Sequence, residues 1–315
     1  MGRAGGPLLM RPHLLSVPGA VQAPYRPRTI GGVRPIVVGA QVSAAGGVSN
    51  AAERALGVGA RAVQIFVDQN RRYPRGPLPH DELERLRALL RRHRLPGYVH
   101  VPYLANVATA GDILRTRSIE MIARAVDASS RAGLRGVVVH PGSHRGRGFD
   151  AVREQVVLTL AEAWRDGGGR IPLLIENTAG AGGHLAAVPS EMSILLGELR
   201  AAGVRCGACI DLSHAHAQGW DLATRQGVDR FQSDWRLVLP RVRLVHANDS
   251  SARAGSRHDR HANPGAGTIG ARGFRMLAEI PQLARVPWIL EVPGKDHSGP
   301  RRIDVRRLDH ILNTP

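Results

Sequence analysis

Eight short apolar runs, separated by stretches of helical periodicity, leave this chain very few folds to choose from. The runs are four to six residues long and lie near 36–40, 61–66, 97–101, 135–140, 171–176, 207–211, 242–247 and 287–292. Between them, 81–94 (DELERLRALLRRHR) carries a leucine stripe at helical spacing after an Asp start. Segments 116–132, 150–164, 189–202 and 273–283 follow the same pattern. Strands this short that alternate with helices predict a parallel sheet with the helices outside it. Eight such alternations predict an α/β fold of the (β/α)8 TIM-barrel kind, which takes about 250 residues. The chain has 315 residues, so the barrel is assigned to 36–315. Residues 1–35, rich in Gly, Pro and Arg without a sustained period, read as a disordered extension. Their LLMRPHLLSVPGAVQA loosely resembles a signal peptide, but Arg11 and Pro12 interrupt its apolar part.

The strand ends carry the chemistry. PGYVH, GVVVH, IPLLIE, CGACID, VRLVH and VPWILE end in His100, His140, Glu176, Asp211, His246 and Glu291. Parallel barrel strands bring such ends together on one face, where barrel active sites form. His214 follows Asp211 by three residues, so one turn leaving the strand aims both at one place. Asp259 and His261 are two apart and point the same way if their segment is extended. A lone His after a strand is usually structural; the argument rests on the set. Nine imidazoles and carboxylates are too many for one zinc, which takes three or four protein ligands. They suit two or three metals, an arrangement typical of phosphoester cleavage. His216 is an alternative ligand. His144, His184, His258 and His297 lie in loops near the same face and read as supporting or solvent-facing residues.

Charge points to the partner. Lys and Arg number 43 against 26 Asp and Glu, a formal net charge of +17, with Lys295 the only lysine. The choice of Arg over Lys is equally well explained by codon usage in a GC-rich genome. The excess of base over acid is explained better by a polyanionic partner, with nucleic acid the leading one. Cys206 and Cys209 form a lone C-x-x-C inside an apolar run, with no second pair for a zinc ribbon. They read as two small core residues. No apolar run reaches the roughly 18 residues needed to span a membrane.

The motifs that carry these residues resemble endonuclease IV, the zinc-dependent apurinic/apyrimidinic endonuclease family of base-excision repair. They are GAQVSAAGGVSNA at 39–51, HVPYLANVA at 100–108, HPGSH at 140–144 and IENTAGAGG at 175–183. The series continues with CIDLSHAHAQGWD at 209–221, HANDS at 246–250, GSRHDRH at 255–261 and LEVP at 290–293. The resemblance implies three Zn2+ ions, with Mn2+ an option in part. It assigns His100, His140 and Glu176 to the first ion. Glu176 bridges to the second, which takes Asp211, His246 and Glu291. His214, Asp259 and His261 take the third. Glu291 and Glu176 are thereby the catalytic carboxylates, Glu291 orienting the attacking hydroxide. Arg71, Tyr103 and Leu104 occupy the positions of a DNA-contacting wedge inserted through the minor groove, where loop packing would otherwise be the simpler reading. The implied substrate is double-stranded DNA with abasic sites, cut 5′ to the lesion to leave a 3′-hydroxyl and a 5′-deoxyribose phosphate, with trimming of blocked 3′ ends. A cytoplasmic, nucleoid-associated monomer is expected.

Three departures stand out. Gln41 replaces a His usual in the first strand motif. Asp68 and Gln69 replace a Lys–Asn pair, which puts an acid near a DNA-facing loop. Ala266 replaces the Glu of a G-E-G stretch. Two alternatives differ in what they require. A sugar isomerase or epimerase on a related barrel needs neither the DRH segment nor a basic surface. A non-catalytic DNA-binding protein would be free to lose its metal ligands.

Overall fold

A computed structural model of the chain describes residues 35–68, 72–73, 76, 78–294 and 299–314. Its strands are β1 Val38–Gln41, β2 Val63–Ile65, β3 Gly97–His100, β4 Val137–Val139, β5 Leu173–Glu176, β6 Cys206–Asp211 and β7 Val242–His246. Two-residue strands β8 Asp249–Ser250 and β9 His261–Ala262 follow, then β10 Trp288–Leu290. β1 to β7 pair in chain order, all parallel, and β10 closes the barrel between β7 and β1. β8 and β9 form a separate antiparallel hairpin. The eight expected runs are the eight barrel strands. The expected extension over 1–35 lies, apart from Pro35, outside the described residues.

The helices are α1 Asn50–Gly57, α2 His80–His93, α3 Asp112–Ala132, α4 Phe149–Asp166, α5 Pro189–Ala201, α6 Leu212–Gln218, α7 Arg225–Asp234, α8 Gly270–Ala278, α9 Pro281–Ala284 and α10 Arg302–Asn313. The leucine stripe of α2 is buried as its spacing predicts, through Leu83, Leu86 and Leu90. The single helix expected over 273–283 is two helices. Pro281 has no N–H to carry the ladder across, so α8 ends and α9 starts at the proline.

Side chains alternate along each strand between barrel interior and helix layer. Ala62, Tyr98, Val138, Leu174, Cys209, Leu244 and Ile289 pack together as one apolar layer inside the barrel. Their neighbours, among them Val63, Val99, Val139, Ile175 and Ile210, pack outward in a second, larger core. At Gly39 a Cβ would come within 2.7 Å of the Ala62 Cβ, so only glycine lets β1 close here. Two residues beyond the inner apolar layer, on the same inward side, stand Gln64, His100, His140, Glu176, Asp211, His246 and Glu291. The strand period of two therefore places this polar layer directly above the apolar one.

Candidate metal centre

Glu176 lies at the middle of the polar layer and has no exposed surface. Its Oε2 is 3.0 Å from both His100 Nε2 and His140 Nε2, and its Oε1 is 2.9 Å from His246 Nδ1. His246 Nδ1 also lies 3.0 Å from Glu291 Oε2. Beside this group, Asp259 joins His214 (3.2 Å) to His261 (3.1 Å), and His261 Nε2 is 3.7 Å from Asp211 Oδ2. All nine residues expected as ligands therefore converge. Seven of the nine fall into two sets, within each of which the donor atoms lie within 4.8 Å of one another: His100, Glu176, His246 and Glu291, and Asp211, His214 and His261. Asp211 stands between the second and third expected sets, its Oδ2 3.9 Å from His246 Nδ1 and 3.7 Å from His261 Nε2.

Local structure explains how residues off the barrel reach the site. Asp211 ends β6 and caps α6, its carboxylate accepting the His214 N–H at 2.8 Å, so the first turn carries His214 inward. The β8–β9 hairpin returns the loop that holds Asp259 over the barrel mouth. Asp249 anchors that hairpin by accepting the backbone N–H groups of Ser250, Gly265, Gly267, Ile269 and Gly270. A Cβ at Gly267 would stand 2.4 Å from an Asp249 oxygen, so this position requires glycine.

A second ring of contacts orients the imidazoles. His100 Nδ1 donates to the Val101 carbonyl and His214 Nδ1 to the Asn177 carbonyl, both at 2.8 Å, which turns each Nε2 toward the carboxylates. His246 is reversed. Its Nε2 donates to Gln64 Oε1 at 3.1 Å, and Nδ1 faces the site. Gln64 Nε2 donates to Gln41 Oε1 and Glu291 Oε1, both at 2.6 Å. Asn248 Nδ2 donates to Asp211 Oδ2 at 2.6 Å, while its Oδ1 accepts the Glu291 N–H at 2.8 Å. Gln64, Asn177, Asn248 and Asp249 are fully buried. The sequence reading missed all four. The available signal was a polar residue inside or just after an apolar run, as in VQIF.

Electrostatics follow from this packing. Burial pushes each imidazole toward neutrality, but the carboxylates outweigh it at His214, raised to about 10 by Asp211 and Asp259, and at His261, raised to about 9 by the same pair. His140 faces Glu176 together with two other imidazoles, and there burial wins and lowers its pKa. Burial would raise Glu291, yet His246 and His100 hold it down to about 2. The donors are imidazole and carboxylate alone, the types that suit zinc, manganese or iron. His140 Nε2 and His261 Nε2 are buried without a hydrogen-bond partner although carboxylate oxygens lie within 3.1 Å, as expected of nitrogens whose lone pairs serve a cation. The set fits divalent metal.

The remaining expectations divide. His216 is structural rather than a ligand: its Nδ1 accepts the Leu222 N–H, and its Nε2 meets the Thr268 hydroxyl at 3.1 Å. His144 Nδ1 accepts two backbone N–H groups of its own turn. Tyr103 is 54% exposed and stacks on the His140 ring at 4.0 Å between centroids. With Leu104, Asn106, Ser143, Arg145 and His184 it lines a cavity of about 390 Å³ that reaches His140. Arg71, Gln69 and His297 lie outside the described residues. Asp68 is not an unpaired acid: Arg124 Nε binds its carboxylate at 2.8 Å, and Arg124 Nη1 donates to the Gly76 carbonyl. Ala266 is exposed. Cys209 is buried in the inner layer, whereas Cys206 is only partly buried.

Fold and site together define a (β/α)8 barrel with a cluster of metal-type donors at the carboxyl ends of its strands. The family model described as "Xylose isomerase-like TIM barrel" matches residues 52–309. The chain is 35% identical over 277 residues to "Probable endonuclease 4" of Nitratidesulfovibrio vulgaris (strain DP4), covering 86% of this chain and 98% of that protein. The crystal structure of endonuclease IV from Thermus thermophilus matches with a TM-score of 0.75 and 33% identity, over 88% of this chain and 98% of that one. A D-tagatose 3-epimerase-like protein shares the fold at 19% identity and a TM-score of 0.61, over 88% and 96%. The chain belongs to the endonuclease IV family.

Proposed function

We propose that this chain is a DNA-repair endonuclease that hydrolyses the phosphodiester 5′ to abasic sites in duplex DNA, leaving a 3′-hydroxyl and a 5′-deoxyribose phosphate, and that trims blocked 3′ ends. Residues 36–315 form its catalytic domain, and 1–35 are an extension. It acts as a cytoplasmic, nucleoid-associated monomer. The observation that carries the reading is the convergence of nine imidazoles and carboxylates on one barrel mouth. Three Zn2+ ions are assigned to them, Mn2+ replacing zinc in part. His100, His140 and Glu176 take one, Glu176, Asp211, His246 and Glu291 the next, and His214, Asp259 and His261 the last. Zinc held this way lowers the pKa of bound water toward about 7 and neutralises phosphate charge.

The protein's own part is to position. Glu176, which contacts imidazoles through both oxygens, holds the two donor sets in register. Glu291, held down to about 2, stays ionised at neutral pH, so its carboxylate can accept a hydrogen bond from a water and orient it. Arg71, Tyr103 and Leu104 form the wedge. Inserted side chains offset an unstacking cost of a few kcal/mol per step, and a missing base makes exposure of the lesion cheaper. Y103A and L104A should each weaken affinity for an abasic duplex by about tenfold, in line with roughly 1–3 kcal/mol per stacked base, with metal content unchanged. Affinity unchanged from the parent chain in both variants would refute the wedge. The epimerase likeness is one of fold alone and supports no second activity.

The test is incision of a duplex carrying one abasic analogue at fixed low salt, because phosphate contacts weaken steeply with salt. Purified protein is compared before and after metal stripping and after adding back Zn2+ or Mn2+. One cut 5′ to the lesion, lost on stripping and restored by metal, supports the proposal. Metal-loaded protein that leaves the duplex intact overturns it.

A further inference from the structure

The opposite mouth of the barrel carries a second feature. At the amino-terminal ends of the strands lies a cavity of about 670 Å³, within the size range of small-molecule sites. Arg135, Arg200, Arg205, Arg243 and Arg285 line it, and no carboxylate does. They arrive from five places: the starts of β4, β6 and β7, the end of α5 and the turn before β10. None is ion-paired among the described residues. Arginines elsewhere do find acids: Arg61 with Asp309, Arg124 with Asp68, Arg153 with Glu198 and Arg225 with Glu279.

Two of the five are held in place by backbone. Arg205 Nη1 donates to the Arg170 carbonyl at 2.7 Å, and Arg243 Nη1 donates to the Val242 carbonyl at 2.9 Å. Arg243 Nη1 also reaches the Pro240 carbonyl at 3.2 Å, and the Nε and Nη2 groups of both arginines have no protein hydrogen-bond partner among the described residues. Arg241, next to the same mouth, has a buried Nη1 without a partner. Pro172, Val204 and Pro287 give the cavity an apolar floor, with Tyr98 at its base. A concave site lined by one sign of charge over low-dielectric walls concentrates counter-ions. Guanidinium groups match phosphate oxygens in paired hydrogen bonds.

We propose that this amino-terminal mouth is a second binding site, distinct from the metal centre, that takes a compact oligophosphate, a nucleoside triphosphate being the size and chemistry that fit. Several guanidiniums converging from different strands suit adjacent phosphates, and the apolar floor suits the rest of such a ligand. A DNA duplex is convex and would touch only the rim.

The test is calorimetric titration of the metal-loaded full chain with magnesium-saturated ATP at about 0.15 M salt, where exposed charges more than about 8 Å apart are screened. One ATP should bind per chain. The triple variant R200Q/R243Q/R285Q should weaken it by about tenfold or more, as the loss of charge-assisted hydrogen bonds predicts, with metal content unchanged. R91Q/R92Q/R94Q removes the same charge from exposed positions in and just after α2 and should leave affinity unchanged. The proposal fails if ATP does not bind, if both triple variants lose affinity equally, or if a lesion-free duplex competes for the same arginines and displaces ATP.

Discussion

Two layers of the barrel interior, one strand repeat apart, could hardly differ more. The lower layer, from Ala62 and Tyr98 to Ile289, is apolar apart from the Tyr98 hydroxyl and the Cys209 thiol. The upper, from Gln64 and His100 to Glu291, holds three imidazoles, three carboxylates and an amide, nearly all of it buried. Buried charge is tolerated only when paired and hydrogen-bonded, and here each carboxylate meets an imidazole or an amide. Backbone is common to both layers, so the difference lies wholly in which side chain stands at each inward position. The lower layer fixes strand spacing and closes the site from below; the upper spends that rigidity on holding charges that would otherwise disperse.

The largest expected effect falls in the upper layer. E291Q keeps the shape of the side chain and its amide neighbours but removes the charged carboxylate. Incision should fall by about 10²-fold or more, as expected when a reacting group loses the residue that orients it, with the fold and most of the metal retained. Near wild-type cutting would remove Glu291 from its assigned role. The matching change below, L174A, should do the reverse. Leu174 is fully buried and fills the space beside Gly136 and Gly207, where an added Cβ would come within 2.8 and 3.4 Å of it. Truncation should cost about 2–5 kcal/mol of stability, read as a shift in the denaturant midpoint, with activity per folded molecule largely kept. If L174A abolished incision without loss of stability, the layers would not divide structure from chemistry as they do here.

This division also explains what the sequence disclosed. Each barrel strand is an apolar run, and six end in a ligand-type residue, so the barrel and these six converging side chains are legible from spacing, with His214 one turn beyond Asp211. Illegible were features set by tertiary pairing. The two-residue strands β8 and β9 have no periodicity to detect. The break at Pro281 was written in the sequence but overridden by the apolar spacing around it. His216 has the residue type of a ligand, but backbone and Thr268 take up both its nitrogens. Gln64, Asn177 and Asn248 are polar residues in or beside buried strands, and only the fold reveals that they face the carboxylates and imidazoles.

Gln64 offers a finer cut between the layers. It touches His246 and Glu291 but is not itself assigned to metal. Q64L should keep the packing while freeing the His246 ring and leaving a Glu291 oxygen without its amide. Metal affinity should drop by about 10–100-fold, the usual effect of removing a partner that orients a ligand, measured by competition with a chelator. Unchanged affinity would mean that Glu176 and Glu291 orient His246 without help from Gln64.

The last expected effect is on pH dependence, and it concerns His214 and His261 once metal is removed. Their folded-state pKa values, about 10 and about 9, lie above the ordinary value near 6.5. A raised imidazole pKa contributes stability that is fully present below about 6.5 and is lost as pH rises through the folded value. Metal-free protein should therefore melt at lower temperature as pH goes from about 6.5 to 10. Metal displaces the same protons, so its apparent affinity should rise over that window, by up to about tenfold per pH unit for each proton released. Titrating Zn2+ in buffers of different ionisation enthalpy counts those protons directly. A melting temperature independent of pH in the metal-free protein, with no proton release on loading, would mean that Asp211 and Asp259 do not hold these rings charged. The imidazole–carboxylate pairing attributed to this side of the upper layer would then fall, while the apolar layer beneath it would be untouched.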